Sequence, residues 1–169
     1  MIRAVVADDE PVARRGLVRL LNEEPGIELV GEAADGEETL RLLRGEEVDV
    51  VFLDIRMPRL DGVAVADALA RMERPPLVVF VTAYDEHAVR AFELEATDYL
   101  LKPFDRDRLL EALERVRRRL RRTALEEVES AGRVLRRVLA PEGAGEGSDR
   151  LVVSESGTVH VLPPEEIDL

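Results

Sequence analysis

Short apolar runs alternate with amphipathic segments five times along residues 1–121. Val, Leu and Ile dominate the runs at 2–7, 27–32, 48–53, 77–81 and 97–101, as in buried β-strands. Helical periodicity follows each run, over residues 11–22, 36–44, 62–72, 86–93 and from 106 onward. Strands joined by crossover helices form parallel sheets that are covered on both sides. The order therefore predicts an α/β fold with a five-stranded parallel sheet and helices on both faces.

Capping and turn signals support these boundaries. Asp35 and Glu38 form a capping box, and Pro25-Gly26 and Pro75-Pro76 interrupt helices ahead of strands. Aspartates suited to N-capping also precede three further helices, at Asp61, Asp85 and Asp105. Two doubly wound strand orders compete. Because no GxGxxG loop follows the first strand, the flavodoxin-like order 2-1-3-4-5 is favoured over a dinucleotide-binding fold.

Polar residues end four of the apolar runs. The first closes on Asp8 and Asp9, the third on Asp54, the fourth on Thr82, and the fifth on Lys102, the single lysine among 24 basic residues. Because the carboxyl ends of parallel strands share a crevice, we expect these groups to meet there. Three carboxylates would repel one another, and a hard cation such as Mg²⁺ would relieve that repulsion. With two groups suited to binding phosphoryl oxygens, the set predicts phosphoryl transfer to a carboxylate nucleophile.

The segments DDEPVARRGLVRLL, VFLDIRMPRLDG and VTAYDEHAVRAFELEATDYLLKPFD resemble the receiver domain of two-component response regulators. The resemblance covers about residues 1–121. It implies that Asp54 accepts a phosphoryl group from a cognate histidine kinase, with Mg²⁺ as cofactor. It also implies that Asp9 and Asp54 ligate the metal directly and that Asp8 acts largely through water. The backbone carbonyl of Arg56 would complete the protein ligands.

The same resemblance assigns roles near the end of the fifth run. Thr82 and Lys102 would hold the phosphoryl oxygens. The Lys102–Pro103 peptide is expected to be cis, so that Pro103 forms a tight turn. Tyr99 matches the aromatic switch position of the family, which works together with Thr82. Without the resemblance, a half-buried packing role for Tyr99 would be an equally good interpretation.

Two further segments narrow the resemblance. AFELEATDYLLKPFDRDRL is similar to receivers that carry a LytTR DNA-binding domain, and RLVVSESGTVHVLPPEEIDL resembles the first strands of that domain. About 20 residues are too few to bury a core, so residues 150–169 are interpreted as an incomplete output domain. Truncation is favoured over a coincidental hairpin around Ser156-Gly157. His160 is expected to face solvent on a strand rather than to act in catalysis.

A helical segment is predicted between the receiver and this tail. Apolar or small residues recur at steps of three and four from Leu109 to Val138. Consecutive steps of four and Gly132 interrupt the seam, which favours one helix ending near Arg122 and another from about Ala124 to Leu139. The stretch at 141–149 has linker composition. The predicted domains are a receiver at 1–122, a helical segment and linker at 123–149, and an incomplete output domain at 150–169.

The charge distribution and the hydropathy of the sequence argue against a nucleic-acid-binding protein and against a membrane-spanning one. Residues 1–104 carry 12 basic and 22 acidic groups, unlike a nucleic-acid-binding surface, and the basic run at 115–122 is interpreted as a solvated helix face. Neither 18 consecutive apolar residues nor a charged, apolar leader occurs, so we expect a cytoplasmic protein without a membrane span.

Two classes of function remain. The favoured class is a signalling switch, not an enzyme with an external substrate. It would form a homodimer when phosphorylated and control transcription, with DNA bound only through an output domain largely absent from this chain. A stand-alone receiver that stores phosphate or binds protein is the alternative. The other class is an aspartyl-phosphate phosphotransferase or phosphatase. Haloacid dehalogenase-like enzymes of that kind carry DxD after the first strand, whereas here Asp8-Asp9 is followed by Glu10 and Pro11, which favours the switch.

Overall fold

The computed structural model describes residues 1–140, 152–155 and 158–161. Two compact units are distinguished, Met1–Glu127 and Val128–Leu169. No helix within the described ranges is both long enough and apolar enough to cross a membrane.

The first unit contains a parallel sheet of five strands in the order β2-β1-β3-β4-β5, which confirms the predicted fold class and strand order. The strands are β1 (Ile2–Ala7), β2 (Ile27–Ala33), β3 (Val50–Leu53), β4 (Leu77–Thr82) and β5 (Asp98–Leu101). The helices are α1 (Pro11–Asn22), α2 (Gly36–Gly45), α3 (Gly62–Leu69), α4 (Ala88–Glu93) and α5 (Arg106–Leu139).

Alternation along the strands supplies two apolar cores, one on each face of the sheet. In β1, Ala4 and Val6 join a core with Leu113 of α5, whereas Val5 joins a second core with Leu69 of α3. All five side chains are fully or almost fully buried. Because successive side chains of a strand point to opposite faces, a continuous apolar run is required where both faces are covered.

Three of the four predicted N-caps form as expected. The side chains of Asp35, Asp61 and Asp105 each accept a hydrogen bond of 2.8 Å from the backbone N–H three residues ahead. The Glu38 carboxylate also accepts from the N–H of Ala34, at 2.8 Å. Asp85 differs, because it lies inside a 3₁₀ turn, Asp85–His87, that leads into α4. Such turns are frequent at the amino ends of helices.

The predicted break near Arg122 is wrong, because α5 is a single helix of 34 residues. The irregular spacing of apolar residues indicates how well the helix can pack against a neighbouring element. It does not determine whether the backbone remains helical. No proline interrupts the sequence from Arg106 to Leu139. Gly132 within the helix costs only about 1 kcal/mol relative to alanine, which neighbouring turns can offset.

The described part of the tail contains two strands, β6 (Val152–Glu155) and β7 (Thr158–Val161), paired antiparallel. This agrees with the β character predicted for the segment. The linker predicted at 141–149 and the turn predicted at Ser156-Gly157 lie outside the described residues.

Candidate functional site

Four of the predicted site residues meet at the carboxyl ends of their strands. Asp8 follows β1, Asp54 follows β3, Thr82 ends β4 and Lys102 follows β5. Backbone hydrogen bonds extend the sheet beyond the strands: Asp54 N donates to Ala7 O at 2.9 Å, and Lys102 N donates to Thr82 O at 2.8 Å. The side chains are therefore positioned by the sheet itself, which explains why strand ends predicted their proximity.

Lys102 joins the two buried carboxylates of the site. Its Nζ lies 2.6 Å from Asp8 Oδ2 and 3.3 Å from Asp54 Oδ2. The Lys102 side chain is 17% exposed, against 5% for Asp8 and 6% for Asp54. A cation held between two carboxylates offsets their mutual repulsion and part of their desolvation.

The pKa values of Asp54 and Lys102 reflect both their burial and the charges beside them. Burial raises the pKa of Asp54 above its ordinary value, the charge of Lys102 opposes the rise, and the charge of Asp8 adds to it. For Lys102, burial alone would lower the pKa, but the hydrogen bond to Asp8 and the negative charge of Asp54 raise it. Asp54 is therefore a carboxylate held in an environment that favours its neutral form, whereas Lys102 is held firmly as a cation.

Two buried polar atoms of the site have no hydrogen-bond partner among the described residues, Asp54 Oδ1 and Thr82 Oγ1. Thr82 is close enough to lower the pKa of Asp54, yet no hydrogen bond of normal geometry joins the two side chains. Unsatisfied buried polar atoms are costly and rare. One acceptor and one hydroxyl, side by side and unpaired, fit a site that receives oxygen-rich groups from outside the chain.

The carboxylates that come together differ in part from the predicted set. Oxygen atoms of Asp8, Glu10 and Asp54 lie within 4.8 Å of one another. Asp9 is exposed and does not belong to this group. Asp9 as a direct metal ligand therefore stays a prediction.

Sequence reasoning missed Glu10 as a member of the site. Its backbone N–H donates to Asp8 Oδ1 at 2.9 Å. Glu10 is also the N-cap residue of α1, but its side chain makes no capping hydrogen bond, so the carboxylate is not engaged by the helix. The signal was present, because Asp8, Asp9 and Glu10 form an acidic run, yet Glu10 was used only as an argument against a DxD motif.

The segment after Asp54 is held close by a glycine. Gly62 N donates to Ile55 O at 2.7 Å, and a Cβ at Gly62 would lie 2.1 Å from the carbonyl oxygen of Asp54. Only glycine fits this contact without displacing the backbone that carries the Asp54 side chain. Gly62 is the last residue of the motif VFLDIRMPRLDG, but the sequence alone did not show that it lies against the Asp54 carbonyl.

Arg56 and Tyr99 both contact Tyr84 on the loop after β4. The Arg56 guanidinium lies 3.8 Å from the centre of the Tyr84 ring and forms a 3.1 Å ion pair with Glu86. The Tyr99 hydroxyl donates to the backbone carbonyl of Tyr84. Burial, and then the charges of Asp85 and Glu86, raise the pKa of the Tyr99 hydroxyl.

The predicted cis peptide at Lys102–Pro103 is confirmed. The metal-ligand role of the Arg56 carbonyl and the switch role of Tyr99 stay predictions.

Comparisons with known proteins agree with this geometry. The family model of the response regulator receiver domain matches residues 4–114. An uncharacterized response regulatory protein of Vibrio cholerae is 51% identical over 120 residues, which cover 70% of this chain and 46% of that protein. The transcriptional regulatory protein LytR of Staphylococcus aureus is 43% identical over 116 residues, which cover 69% of this chain and 47% of LytR. The chain thus spans about half the length of these relatives.

Solved structures show the same fold. The response regulatory domain of mrkE from Klebsiella pneumoniae is 40% identical with a TM-score of 0.66, covering 75% of this chain and 99% of that one. The response regulator TrrA from Thermotoga maritima, solved in complex with Mg²⁺-BeF, is 34% identical with a TM-score of 0.63, covering 69% and 99%. The matched family, the parallel sheet and the acidic pocket at its carboxyl edge agree, and the chain belongs to the response regulator receiver domain family.

Proposed function

We propose that this chain accepts a phosphoryl group on Asp54 from a histidine kinase and thereby acts as a phosphorylation-controlled switch. One observation carries the proposal. Asp54 is buried and lies beside the Lys102 cation, and neither its Oδ1 nor the Thr82 hydroxyl has a hydrogen-bond partner among the described residues. A nucleophilic carboxylate, a cation and a hydroxyl donor together match the needs of phosphoryl transfer.

The transfer can be written with these residues. Asp54 Oδ1 attacks phosphorus and forms the O–P bond while the P–N bond of the kinase phosphohistidine breaks, and the imidazole leaves with the bonding electrons. Lys102 Nζ balances the negative charge of one phosphoryl oxygen, and the Thr82 hydroxyl donates to another. Because the Asp54 pKa is raised, the nucleophile is less stable as an anion than an exposed aspartate, which increases its tendency to react.

Mg²⁺ would be held by the acidic pocket. The predicted ligands are Asp9, Asp54 and the Arg56 carbonyl, with Asp8 acting through water, and Glu10 adds a carboxylate within reach. The donors are all oxygens, which suits a hard cation, and clustered carboxylates beside an unpaired oxygen fit such an ion. When bound, the ion neutralises the charge that accumulates on the phosphoryl oxygens.

The switch would involve Thr82 and Tyr99. In the described structure, Tyr99 is tied to the loop after β4 through the Tyr84 carbonyl, and Thr82 Oγ1 has no partner. A phosphoryl oxygen that draws the Thr82 hydroxyl toward Asp54 would bias that loop and shift an existing equilibrium toward self-association.

Transcription is the output that we propose for this switch. LytR of Staphylococcus aureus is named a transcriptional regulatory protein, and this chain matches slightly less than half of it. Residues 152–155 and 158–161 pair as β-strands, in line with the predicted start of a LytTR-type domain at 150–169. The predicted organisation, with a receiver at 1–122 and a connecting segment at 123–149, would place DNA binding outside the receiver.

Labelling with acetyl phosphate and Mg²⁺ tests the proposal. Intact-mass measurement should show one added phosphoryl group on the wild type and none on Asp54→Ala. Asp67→Ala serves as the matched control, because it removes a half-exposed aspartate of α3 that pairs with Arg90 and is not one of the site residues, and it should label normally. Full labelling of Asp54→Ala would remove Asp54 from its role. Normal labelling of wild type in excess chelator would contradict the role of the cation.

A further inference from the structure

Arginine side chains of α5 surround an open cavity next to the start of β5. This arginine cavity has a volume of about 370 Å³, and its lining consists of Thr97, Arg115, Arg118, Arg119 and Arg122. The four arginines follow one another at steps of three and four, so they lie on one side of the helix. The basic run at 115–122 was interpreted from the sequence as a solvated helix face. The structure instead gathers four arginines of that run around one cavity.

Three of the four arginines keep a positive charge that the chain does not neutralise at close range. Arg118 forms no ion pair within the ranges that the structure describes. Arg119 donates to a neutral acceptor, the backbone carbonyl of Glu95, at 3.3 Å. Arg122 reaches Glu126 only at 3.7 Å, and both side chains are exposed. Exposed pairs of this kind are weak and are screened by salt.

The fourth arginine, Arg115, fixes one wall of the cavity. Its Nη1 lies 2.6 Å from Oδ2 of Asp98, a carboxylate that is only 7% exposed. Asp98 also pairs with Arg108 at 2.8 Å, so it has no capacity left to neutralise the other arginines. Like charges three and four positions apart on a helix repel one another. An anion bound in the cavity would offset that repulsion.

Thr97 adds a hydroxyl group to the arginine cavity. Its backbone N–H donates to Val78 O at 2.8 Å, which fixes the residue beside β4. Its Oγ1 is buried and has no hydrogen-bond partner among the described residues. A buried hydroxyl without a partner costs stability. Thr97 therefore loses no hydrogen bond when it turns its hydroxyl toward a ligand.

A second cavity, of about 200 Å³, shares Thr97 and Arg119 with the arginine cavity. Its other lining residues are mostly apolar and include Leu69, Leu77 and Leu94. Small-molecule sites in proteins combine an apolar lining with a few charged groups that fix the orientation of the ligand. The two cavities together offer neighbouring places for a charged group and for an apolar group.

We propose that the arginine cavity binds the phosphate group of a small organic phosphate, whose apolar portion occupies the second cavity. Guanidinium groups bind phosphate oxygens through charge-assisted hydrogen bonds that are often bidentate. A compact ligand is favoured over a nucleic-acid backbone, because the arginines line one cavity and the chain carries a net charge of −12. Thr97 precedes β5, whereas Lys102 follows it, so this site and the phosphorylation site lie at opposite edges of the sheet.

Titration followed by NMR tests the site with two probes, inorganic phosphate and phenyl phosphate, at constant ionic strength in chelator. Both probes should shift the Nε–H signals of Arg118 and Arg119 in a saturable way. Phenyl phosphate should bind about threefold more tightly or better, because its ring leaves water for the second cavity. Arg118→Gln should weaken the binding of phenyl phosphate about tenfold, since it removes a charged donor without breaking an ion pair of the fold.

Two further variants separate binding from folding. Thr97→Val should weaken binding about threefold, yet its urea midpoint should be equal or higher, because the variant removes a buried hydroxyl without a partner. A purely structural role of Thr97 would leave the affinity unchanged. Arg19→Gln is the matched control, because it removes the same charge from an 81% exposed arginine of α1. It should bind both probes as wild type does.

Four results would overturn the inference. Shifts that do not saturate, or that are as large at Arg19 as at Arg118, would indicate general screening of charge. Shifts confined to the backbone signals of Asp54 and Lys102 would place the probes at the phosphorylation site. Equal affinity for the two probes would leave the second cavity without a role. Displacement of phenyl phosphate by a short DNA duplex at about 0.15 M salt would identify a nucleic-acid surface instead.

Discussion

Replacing Lys102 by alanine removes the cation between two buried carboxylates. Nζ lies 2.6 Å from Asp8 Oδ2 and 3.3 Å from Asp54 Oδ2. Breaking a buried ion pair by deleting one partner costs about 3–5 kcal/mol. Because the Lys102 side chain is 17% exposed, water can enter the vacated space. We therefore expect the free energy of unfolding to fall by about 2–4 kcal/mol at neutral pH without Mg²⁺.

The loss should depend on pH in a defined direction. Burial already raises the pKa of Asp54 above the ordinary value of 3.8, and Lys102 opposes that rise. Without Lys102 the folded-state pKa rises further. A carboxyl group with a raised folded-state pKa favours the fold most below pH 3.8 and loses that contribution as the pH rises through the folded-state value. The difference between variant and wild type should therefore be smallest in acid and grow toward neutral pH.

Urea unfolding followed by circular dichroism, in chelator and in Mg²⁺, measures these effects. Any folded form gains about 2.7 kcal/mol at a Mg²⁺ concentration about 100 times its Kd. Removing a cation from the pocket should leave Mg²⁺ affinity equal or higher, so the deficit of Lys102→Ala should not widen in Mg²⁺ and should narrow if the affinity rises. Lys102→Met, which keeps the length without the charge, should behave like the alanine variant. A deficit that is the same in acid and at neutral pH, or that Met abolishes, would refute the electrostatic reasoning.

The remaining predictions concern the Asp54 backbone and its charge. Gly62→Ala should destabilise the fold by about 3 kcal/mol and impair labelling, because its Cβ would lie 2.1 Å from the Asp54 carbonyl oxygen. Gly16→Ala, with nothing within 4 Å of the new Cβ, should instead stabilise α1 by about 0.5–1 kcal/mol, and equal urea midpoints for the two would contradict the contact. Asp54→Asn should raise the free energy of unfolding at neutral pH, since the Asp54 pKa is raised, and the gain should disappear as the pH falls toward 3.8. A gain that grows in acid would reverse that assignment.

The ends of the strands could be predicted from the sequence, because a strand that is buried on both faces must be apolar at every position along its backbone. A run such as VVFLD is buried on both faces, so the strand continues until a residue that cannot be buried without a partner, here Asp54. The register of β1, β3 and β4 then brings Asp8, Asp54 and Thr82 to one edge without further information. The absence of a GxGxxG loop was enough to favour the observed strand order.

Helix α5 shows where this kind of reasoning fails. Its seam is irregular after Arg122, and the irregularity was interpreted as a break. Side-chain periodicity reports what a helix can pack against, whereas continuity depends on backbone hydrogen bonds and on the absence of proline. Beyond the core contacts of Leu109, Leu113 and Val116, the helix continues with exposed side chains such as Leu125 and Val128. The sequence thus correctly predicted Leu109, Leu113 and Val116 as apolar positions on one side of the helix, and wrongly predicted a break near Arg122.

The carboxylates just before α1 show a second limit of prediction from the sequence, and this limit concerns the candidate site. Alternation predicts direction only while the strand lasts, and β1 ends at Ala7. Beyond it, Asp8 turns inward, Asp9 is exposed, and Glu10 approaches the pocket although it caps the helix through its backbone. The geometry of the turn thus gives three adjacent acidic residues different positions, and the residue types alone do not predict that geometry. In the pocket they border, Asp54 Oδ1 and Thr82 Oγ1 have no hydrogen-bond partner within the described ranges, which costs stability. The proposed acceptance of a phosphoryl group requires such unpaired atoms, because a fully satisfied network would leave the incoming oxygens nothing to bind.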